Sequence, residues 1–155
     1  MKLTDYMDQN LIFSGIKAAD KPELLEKLAD LVSGRFPGIS REQLLRKLAQ
    51  READGSTGIG QGVAVPHATV EGVSATVCML ITFPEGIDFD SIDNRPVRVM
   101  FLLLSPPGET GLHVRLLARI ARLVRTGQFV EKLAASSDPE YLYELVKDED
   151  LRHDE

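Results

Sequence analysis

Two nearly continuous apolar segments constrain the fold more than any other feature of the chain. Val73–Phe83 and Val97–Leu104 are rich in Val, Ile, Leu and Phe. A strand that is apolar on both sides needs cover on both faces of its sheet. The two segments therefore predict central strands of an α/β fold, a single-domain sandwich in which a central mixed β-sheet is flanked by helices on both faces.

Helical spacing and capping residues predict where that cover comes from. Asp20 with Glu23 and Ser40 with Gln43 form capping boxes, which predict helices over about 20–33 and from 40 to about 53. Further helices are predicted over about 110–125, over about 128–135, and from 138 with a proline in the first turn. The 155 residues suit one domain, 1–155, with the charged tail Lys147–Glu155 expected to fray.

Composition excludes several classes of protein. A formal net charge of -6 argues against nucleic-acid binding, which needs a concentrated cationic face. The excess of acidic residues would suit a partner with a basic patch, but solubility is its simpler explanation. Cys78 is the one cysteine and lies in an apolar run, so we expect a core thiol and a reducing compartment. Without a signal-peptide pattern or an apolar run of membrane-spanning length, we expect a cytoplasmic protein with no membrane insertion.

The segment GSTGIGQGVAVPH, which runs from Gly55 to His67, concentrates groups suited to phosphate. Four glycines in eight residues would let successive amides face one point, as in an anion-binding nest. Pro66 biases Val65 towards an extended backbone, which restrains the direction of His67. Neutral imidazole can accept a phosphoryl group, so His67 is a candidate phosphoryl carrier. A plain glycine turn beside a structural histidine is the alternative.

Other ligand sites have less support. The glycine segment lacks the Lys-Ser/Thr ending of a P-loop and misses the dinucleotide-binding spacing. Three histidines far apart in sequence and one cysteine predict no metal cluster, and the acidic residues at 88, 90 and 93 have the wrong spacing for a calcium loop. We therefore expect no cofactor and no metal.

Three residues outside the segment are candidate partners of His67. Arg51, in the last turn of a predicted helix, would clamp phosphoryl oxygens or be only an exposed helix cation. His113 opens a predicted helix, whose positive end would lower its pKa and leave a neutral ring that donates a hydrogen bond. An exposed polar side chain is the alternative. Glu71, four residues after His67, would orient the imidazole or lie exposed in a loop.

These motifs carry a family resemblance. Arg51-Glu52, the glycine segment, Glu71 and the downstream PVRVMFLLLSPPGETGLHVRLLARIARLV resemble the fructose/mannitol-type enzyme IIA proteins of the bacterial phosphoenolpyruvate-dependent phosphotransferase system. The likeness extends from about Leu3 to Val146. It implies phosphorylation of the His67 ring nitrogen farther from the backbone and selects Arg51 over Arg46.

The resemblance also bears on the remaining site residues. It implies that His113 is the second histidine, although Val114 follows it where the family usually has leucine. A family hydroxyl at Thr57 makes that residue the preferred side-chain donor to a phosphoryl oxygen, with Ser56 as the other candidate. Amides around Gly58 and Gly60 would complete the predicted phosphate site.

The implied function is phosphoryl transfer between proteins. In-line transfer needs positioning and charge compensation rather than a nucleotide or magnesium, and a shallow face suits transient docking. An HPr-like phosphocarrier is the implied donor. Because the sequence stops after the IIA unit, a regulatory protein of the nitrogen-related enzyme IIA group is expected. The runner-up is a fructose- or mannitol-specific IIA component that feeds a IIB subunit, and the third reading is a non-catalytic regulatory binding module.

Overall fold

The computed structural model describes residues 1–153, which form one mixed sheet of six strands with five α-helices. Two 3₁₀ turns, Leu3–Tyr6 and Gln9–Leu11, precede the first strand. The elements in chain order are β1 Ile12–Ser14, α1 Lys21–Arg35, α2 Arg41–Ala53, β2 Gly58–Gly60, β3 Val63–Ala64, β4 His67–Thr69, β5 Val77–Ile87, β6 Val97–Ser105, α3 Thr110–Leu123, α4 Gly127–Ala134 and α5 Pro139–Arg152. No helix among these residues combines the length and apolar character needed to cross a bilayer.

The sheet is built around an antiparallel pair, β5 and β6. Its strand order is β1-β5-β6-β3-β2, and β4 also pairs with β6. Strands β3 and β4 both run parallel to β6, with Val63 opposite Val99 and His67 opposite Leu103, so they follow one another along the same edge. Because parallel strands end on the same side, the end of β4 and the loop from β6 into α3 are neighbours.

The predicted central strands and two-sided cover are confirmed. Alternate residues of β5 and β6 enter two separate cores, as the pleat of a strand requires. One core packs α1 and α2 against a face that includes Met79, Ile81, Met100, Leu102 and Leu104. The other packs α3, α4 and α5 against Cys78, Leu80, Val99, Phe101 and Leu103. Full burial raises the pKa of the Cys78 thiol, as expected for an inert core cysteine.

Capping explains where the helices of the first layer begin. The Asp20 carboxylate accepts from the Glu23 N–H at 2.9 Å, and the Ser40 hydroxyl accepts from the Gln43 N–H at 3.2 Å. The reciprocal half of the first capping box differs from the prediction. Glu23 accepts from the Ala19 N–H at 3.0 Å, one residue before the cap.

The charged tail differs from the prediction of fraying from Lys147. Helix α5 continues to Arg152, and Glu149 and Asp150 are only 3% and 0% exposed. The reason is a set of distant partners, since Asp150 accepts from the buried Arg119 guanidinium as well as from two N-terminal amides. Residues 154 and 155 of the predicted tail lie outside the described residues.

Candidate functional site

His67 begins β4 with one ring nitrogen already committed. Its Nδ1 lies 2.9 Å from the carbonyl oxygen of Val65. A carbonyl only accepts, so Nδ1 carries the proton of the neutral ring and Nε2 keeps its lone pair. The half-buried ring therefore presents Nε2, the nitrogen farther from the backbone, as a nucleophile.

Arg51 faces that nucleophilic nitrogen from the last turn of α2. Its Nε lies 3.4 Å from His67 Nε2, and its Nη1 donates to the Gly55 carbonyl at 2.8 Å. The guanidinium only donates, which independently makes His67 Nε2 the acceptor. Arg51 is half-buried rather than exposed. Its donors are held where they would meet the oxygens of a group on Nε2.

His113, in the first turn of α3, packs against His67. The ring centres are 4.8 Å apart at an interplanar angle of 70°, an edge-to-face arrangement. His113 is 7% exposed, its Nδ1 lies 3.0 Å from Ser105 Oγ, and its Nε2 is buried without a hydrogen-bond partner. The expected lowering of its pKa is confirmed. The cause is first burial and then the neighbouring His67, not the helix end that the sequence suggested.

Because the pKa of His113 is lowered in the native protein, we expect stability to fall as the pH drops below 6.5, the ordinary pKa of histidine. Between 6.5 and the lower native pKa, the unfolded chain binds a proton that the native protein does not, so acid favours unfolding. Above this window the ring is neutral in both states and its contribution is complete. Urea unfolding across this pH range should show a flatter profile for His113→Gln than for wild type. Parallel profiles would contradict the assignment.

The glycine segment forms a hairpin rather than an open nest. Strand β2 pairs antiparallel with β3, and Gly60 and Gly62 take positive φ angles of 92° and 81° at the turn. At Gly58 a side chain would overlap Ser91, because the loop between β5 and β6 packs directly on β2. Chain reversal and close packing therefore explain these glycines without a ligand.

Both predicted hydroxyl donors have partners within the protein. The Ser56 hydroxyl donates to the Phe89 carbonyl at 2.7 Å and accepts from the Gly58 N–H at 3.0 Å. The hydroxyl of Thr57 donates to Glu52, and its amide donates to the same carboxylate at 3.0 Å. Phosphate binding by Ser56, Thr57, Gly58 and Gly60 stays a prediction, and it would require these contacts to be exchanged.

Glu52 is an organising residue that sequence reasoning did not assign a role. Its side chain is 5% exposed and lies 2.8 Å from the Lys21 ammonium, in addition to its two bonds to Thr57. The carboxylate therefore ties the start of α1 and the end of α2 to the glycine segment. Its position beside Arg51 in the sequence was the available signal. Glu71, the predicted orienting residue, is exposed, and the Val65 carbonyl occupies the nitrogen it would have oriented.

The part of the chain that the structure describes groups no set of metal ligands around the histidines. Within residues 1–153, no group of three or more His, Cys, Asp or Glu side chains is arranged to hold an ion. The site thus consists of a nucleophilic imidazole, a guanidinium beside its free nitrogen and a second buried imidazole.

Comparison with known proteins identifies the family of this chain. The profile of the phosphoenolpyruvate-dependent sugar phosphotransferase system EIIA 2 family matches residues 5–149, nearly the whole chain. The chain belongs to this family. The resemblance noted from the sequence motifs is thereby confirmed, and the protein is a phosphotransfer component of the enzyme IIA type.

Several relatives within the enzyme IIA family are nitrogen regulatory proteins. A nitrogen regulatory protein of Bradyrhizobium diazoefficiens is 34% identical over 94% of this chain and 95% of its own. One from Pseudomonas aeruginosa is 32% identical over 86% of both chains. The crystal structure of nitrogen regulatory protein IIA-Ntr from Neisseria meningitidis matches with a TM-score of 0.83 at 30% identity, over 92% of this chain and 97% of that one. The crystal structure of IIA mannitol from Escherichia coli matches with a TM-score of 0.74 at 25% identity, over 90% of this chain and 97% of that one.

Proposed function

We propose that this protein accepts a phosphoryl group on Nε2 of His67 from an HPr-like phosphocarrier and acts as a regulator. The observation that carries the proposal is the state of the His67 ring. Its Nδ1 is bonded to the Val65 carbonyl, while Nε2 is unprotonated and faces Arg51. This is the arrangement that in-line attack on phosphorus requires.

Charge compensation supports the same proposal. A phosphoryl group on His67 would bring about two negative charges to its oxygens. Arg51 supplies a fixed cation with directed donors at the same nitrogen. The second imidazole, His113, packs edge to face with the His67 ring, with 4.8 Å between the ring centres. The site therefore needs neither a nucleotide nor a metal to hold the phosphoryl group.

The surface beside the site suits a protein donor. Ile92 and Val114 are 77% and 60% exposed, and Ile59 is 38% exposed. Val114 adjoins His113 in α3, whereas Ile92 and Ile59 lie on the β2 side, where the Ile92 N–H approaches the Gly58 carbonyl at 3.4 Å. A transient protein partner buries a small area, and exposed apolar side chains on these elements are the contacts we expect it to use.

The regulatory part of the proposal rests on the relatives. The Bradyrhizobium and Pseudomonas nitrogen regulatory proteins match over nearly their whole length at above 30% identity. A fructose-specific EIIA component of Haloferax volcanii is 29% identical over 83% of this chain. We therefore expect a phosphorylation-dependent regulator of the nitrogen-related group, in the cytoplasm where phosphocarriers circulate.

The deciding experiment is phosphoryl loading followed by intact mass measurement. The protein is incubated with phosphoenolpyruvate, enzyme I and an HPr-type carrier, and each of these is omitted in turn. We expect the mass of one acid-labile phosphoryl group, dependent on all three. Absence of loading would favour a non-catalytic binding module, and efficient onward transfer to a fructose- or mannitol-type IIB domain would favour the sugar-specific role.

We expect Arg51→Ala to slow phosphoryl exchange by roughly ten- to a hundredfold, since a hydrogen bond to a charged group contributes about 1.5–3 kcal/mol. Stability should fall little, because the side chain makes one bond to the protein backbone, at Gly55. Arg46→Ala is the matched control, since Arg46 is exposed on the same helix. Exchange rates and urea midpoints are compared. Equal exchange rates for the two variants would contradict the clamp.

A further inference from the structure

A buried chain of polar groups leads away from His113. Its Nδ1 lies 3.0 Å from Ser105 Oγ, which lies 3.1 Å from Thr76 Oγ1, which in turn lies 2.5 Å from Glu109 Oε1. The Thr76 amide donates to the same carboxylate oxygen at 3.1 Å. Ser105 and Thr76 are 1% and 3% exposed, so these bonds form with little competition from water. The enzyme IIA chemistry described above assigns these three residues no role.

Proton counting fixes the direction of every bond in this chain. The Glu109 carboxylate only accepts, so the single hydroxyl proton of Thr76 goes to Glu109. Thr76 can then only accept from Ser105, which uses the single hydroxyl proton of Ser105. Ser105 can in turn only accept from His113. The Nδ1 of His113 must therefore carry a proton, and a neutral ring leaves Nε2 as a bare lone pair.

We infer that Glu109, Thr76 and Ser105 position His113 with a bare Nε2, and that loading of His67 places one proton on that nitrogen. The protonation of His113 on loading rests on the proposed function. The positioning of His113 by the three residues concerns the free protein and does not depend on that function. It corrects the expectation from sequence that a neutral His113 donates a hydrogen bond to the phosphoryl group. In the bonded arrangement, the neutral ring has no proton on Nε2 to donate.

The electrostatics of the loaded state supply the driving force. His113 Nε2 is buried without a partner, and its ring lies against His67. A phosphoryl oxygen meeting a bare lone pair is repelled, whereas a protonated nitrogen would donate a charge-assisted bond. Within residues 1–153, the titratable groups recorded next to His113 and its polar chain are His67 on β4 and Glu109 at the start of α3, while Arg51 on α2 lies against His67. Of these, only the His67 side chain changes charge on loading.

The step balances as follows. The His67 Nε2 lone pair forms a bond to phosphorus, and the phosphorus–nitrogen bond of the donor phosphohistidine breaks with its electron pair returning to the donor imidazole. His67 keeps its proton on Nδ1, which donates to the Val65 carbonyl, so the His67 ring gains a formal positive charge that offsets part of the negative charge on the phosphoryl oxygens. One proton from solvent binds the His113 Nε2 lone pair, and unloading releases it again. His113 thus alternates between a neutral ring and an imidazolium.

Nitrogen NMR of the full chain with ¹⁵N-labelled histidine tests both halves. In the free protein near neutral pH, we expect His113 to be protonated on Nδ1 alone. After loading with phosphoenolpyruvate, enzyme I and an HPr-type carrier, both ring nitrogens should be protonated at the same pH. A proton on Nε2 in the free protein, or a neutral His113 in a loaded protein, would overturn the inference. Failure to load at all would instead contradict the proposed function on which the second half rests.

A substitution in the chain separates positioning from mere packing. Thr76→Val removes the acceptor for Ser105, whose hydroxyl should then donate to His113 Nδ1 and move the proton to Nε2. We expect loss of the Nδ1-protonated signature in this variant and its restoration in Thr76→Ser. Thr69→Val, an exposed change on β4, is the matched control and should keep the wild-type signature. An unchanged His113 signature in a folded Thr76→Val protein would exclude the positioning role.

Discussion

The His67→Ala protein is expected to take up no phosphoryl group under conditions that fully load the wild type. In the proposed function the reacting lone pair belongs to His67 Nε2, the nitrogen that Arg51 faces at 3.4 Å. His113 cannot readily replace it, because its Nε2 is buried and lacks the guanidinium partner. Intact mass and acid-labile radiolabel after incubation with phosphoenolpyruvate, enzyme I and carrier measure the result.

Two controls make this loss specific. His153→Ala should load like the wild type, because the His153 ring bonds to Glu149 of α5 at 2.8 Å and contacts the C-terminal helix rather than His67. The fold of His67→Ala should survive, because the lost bond to the Val65 carbonyl contributes about 1 kcal/mol. Equal loading of His67→Ala and wild type would move the acceptor elsewhere and remove the basis of the proposed function.

The elements that sequence predicted well are those with local causes. Asp20 and Ser40 cap their helices through amides three residues away, so the signal and its effect lie within one turn. The central strands were equally readable, because burial on both faces leaves a continuous apolar run. Fold class, helix order and the family could therefore be predicted from the sequence alone.

The site was predictable only in part, because its supporting contacts join distant segments. His67, Arg51 and His113 come together as the motifs predict, although their roles in phosphoryl transfer stay proposals. The link from Thr76 to Glu109 spans 33 residues, and nothing local marks either as a partner of a histidine. The conformation of the glycine segment depends on distant contacts as well, and its predicted role in phosphate binding stays a prediction. Hairpin geometry and packing against a distant loop require these glycines whether or not a ligand binds there.

The Asp150→Ala variant is expected to lose about 3–5 kcal/mol of unfolding free energy, the range for breaking a buried ion pair. Asp150 is fully buried and accepts from the Arg119 Nε at 3.1 Å and from the amides of Leu3 and Thr4 at 3.2 and 3.0 Å. Its removal leaves a guanidinium that is 8% exposed without a carboxylate, and it releases the N-terminal turn.

The matched control for this variant is Asp148→Ala, an exposed change on the same helix that should alter stability by less than about 0.5 kcal/mol. Urea midpoints and slopes measure both variants. Similar midpoints would show that the buried pair contributes no net stability. Phosphoryl loading of the folded fraction of Asp150→Ala should proceed as in wild type. Arg119 and His113 both lie on α3. His113 is held at the start of that helix by its bond to Ser105, whereas Arg119 bonds to Asp150 in α5.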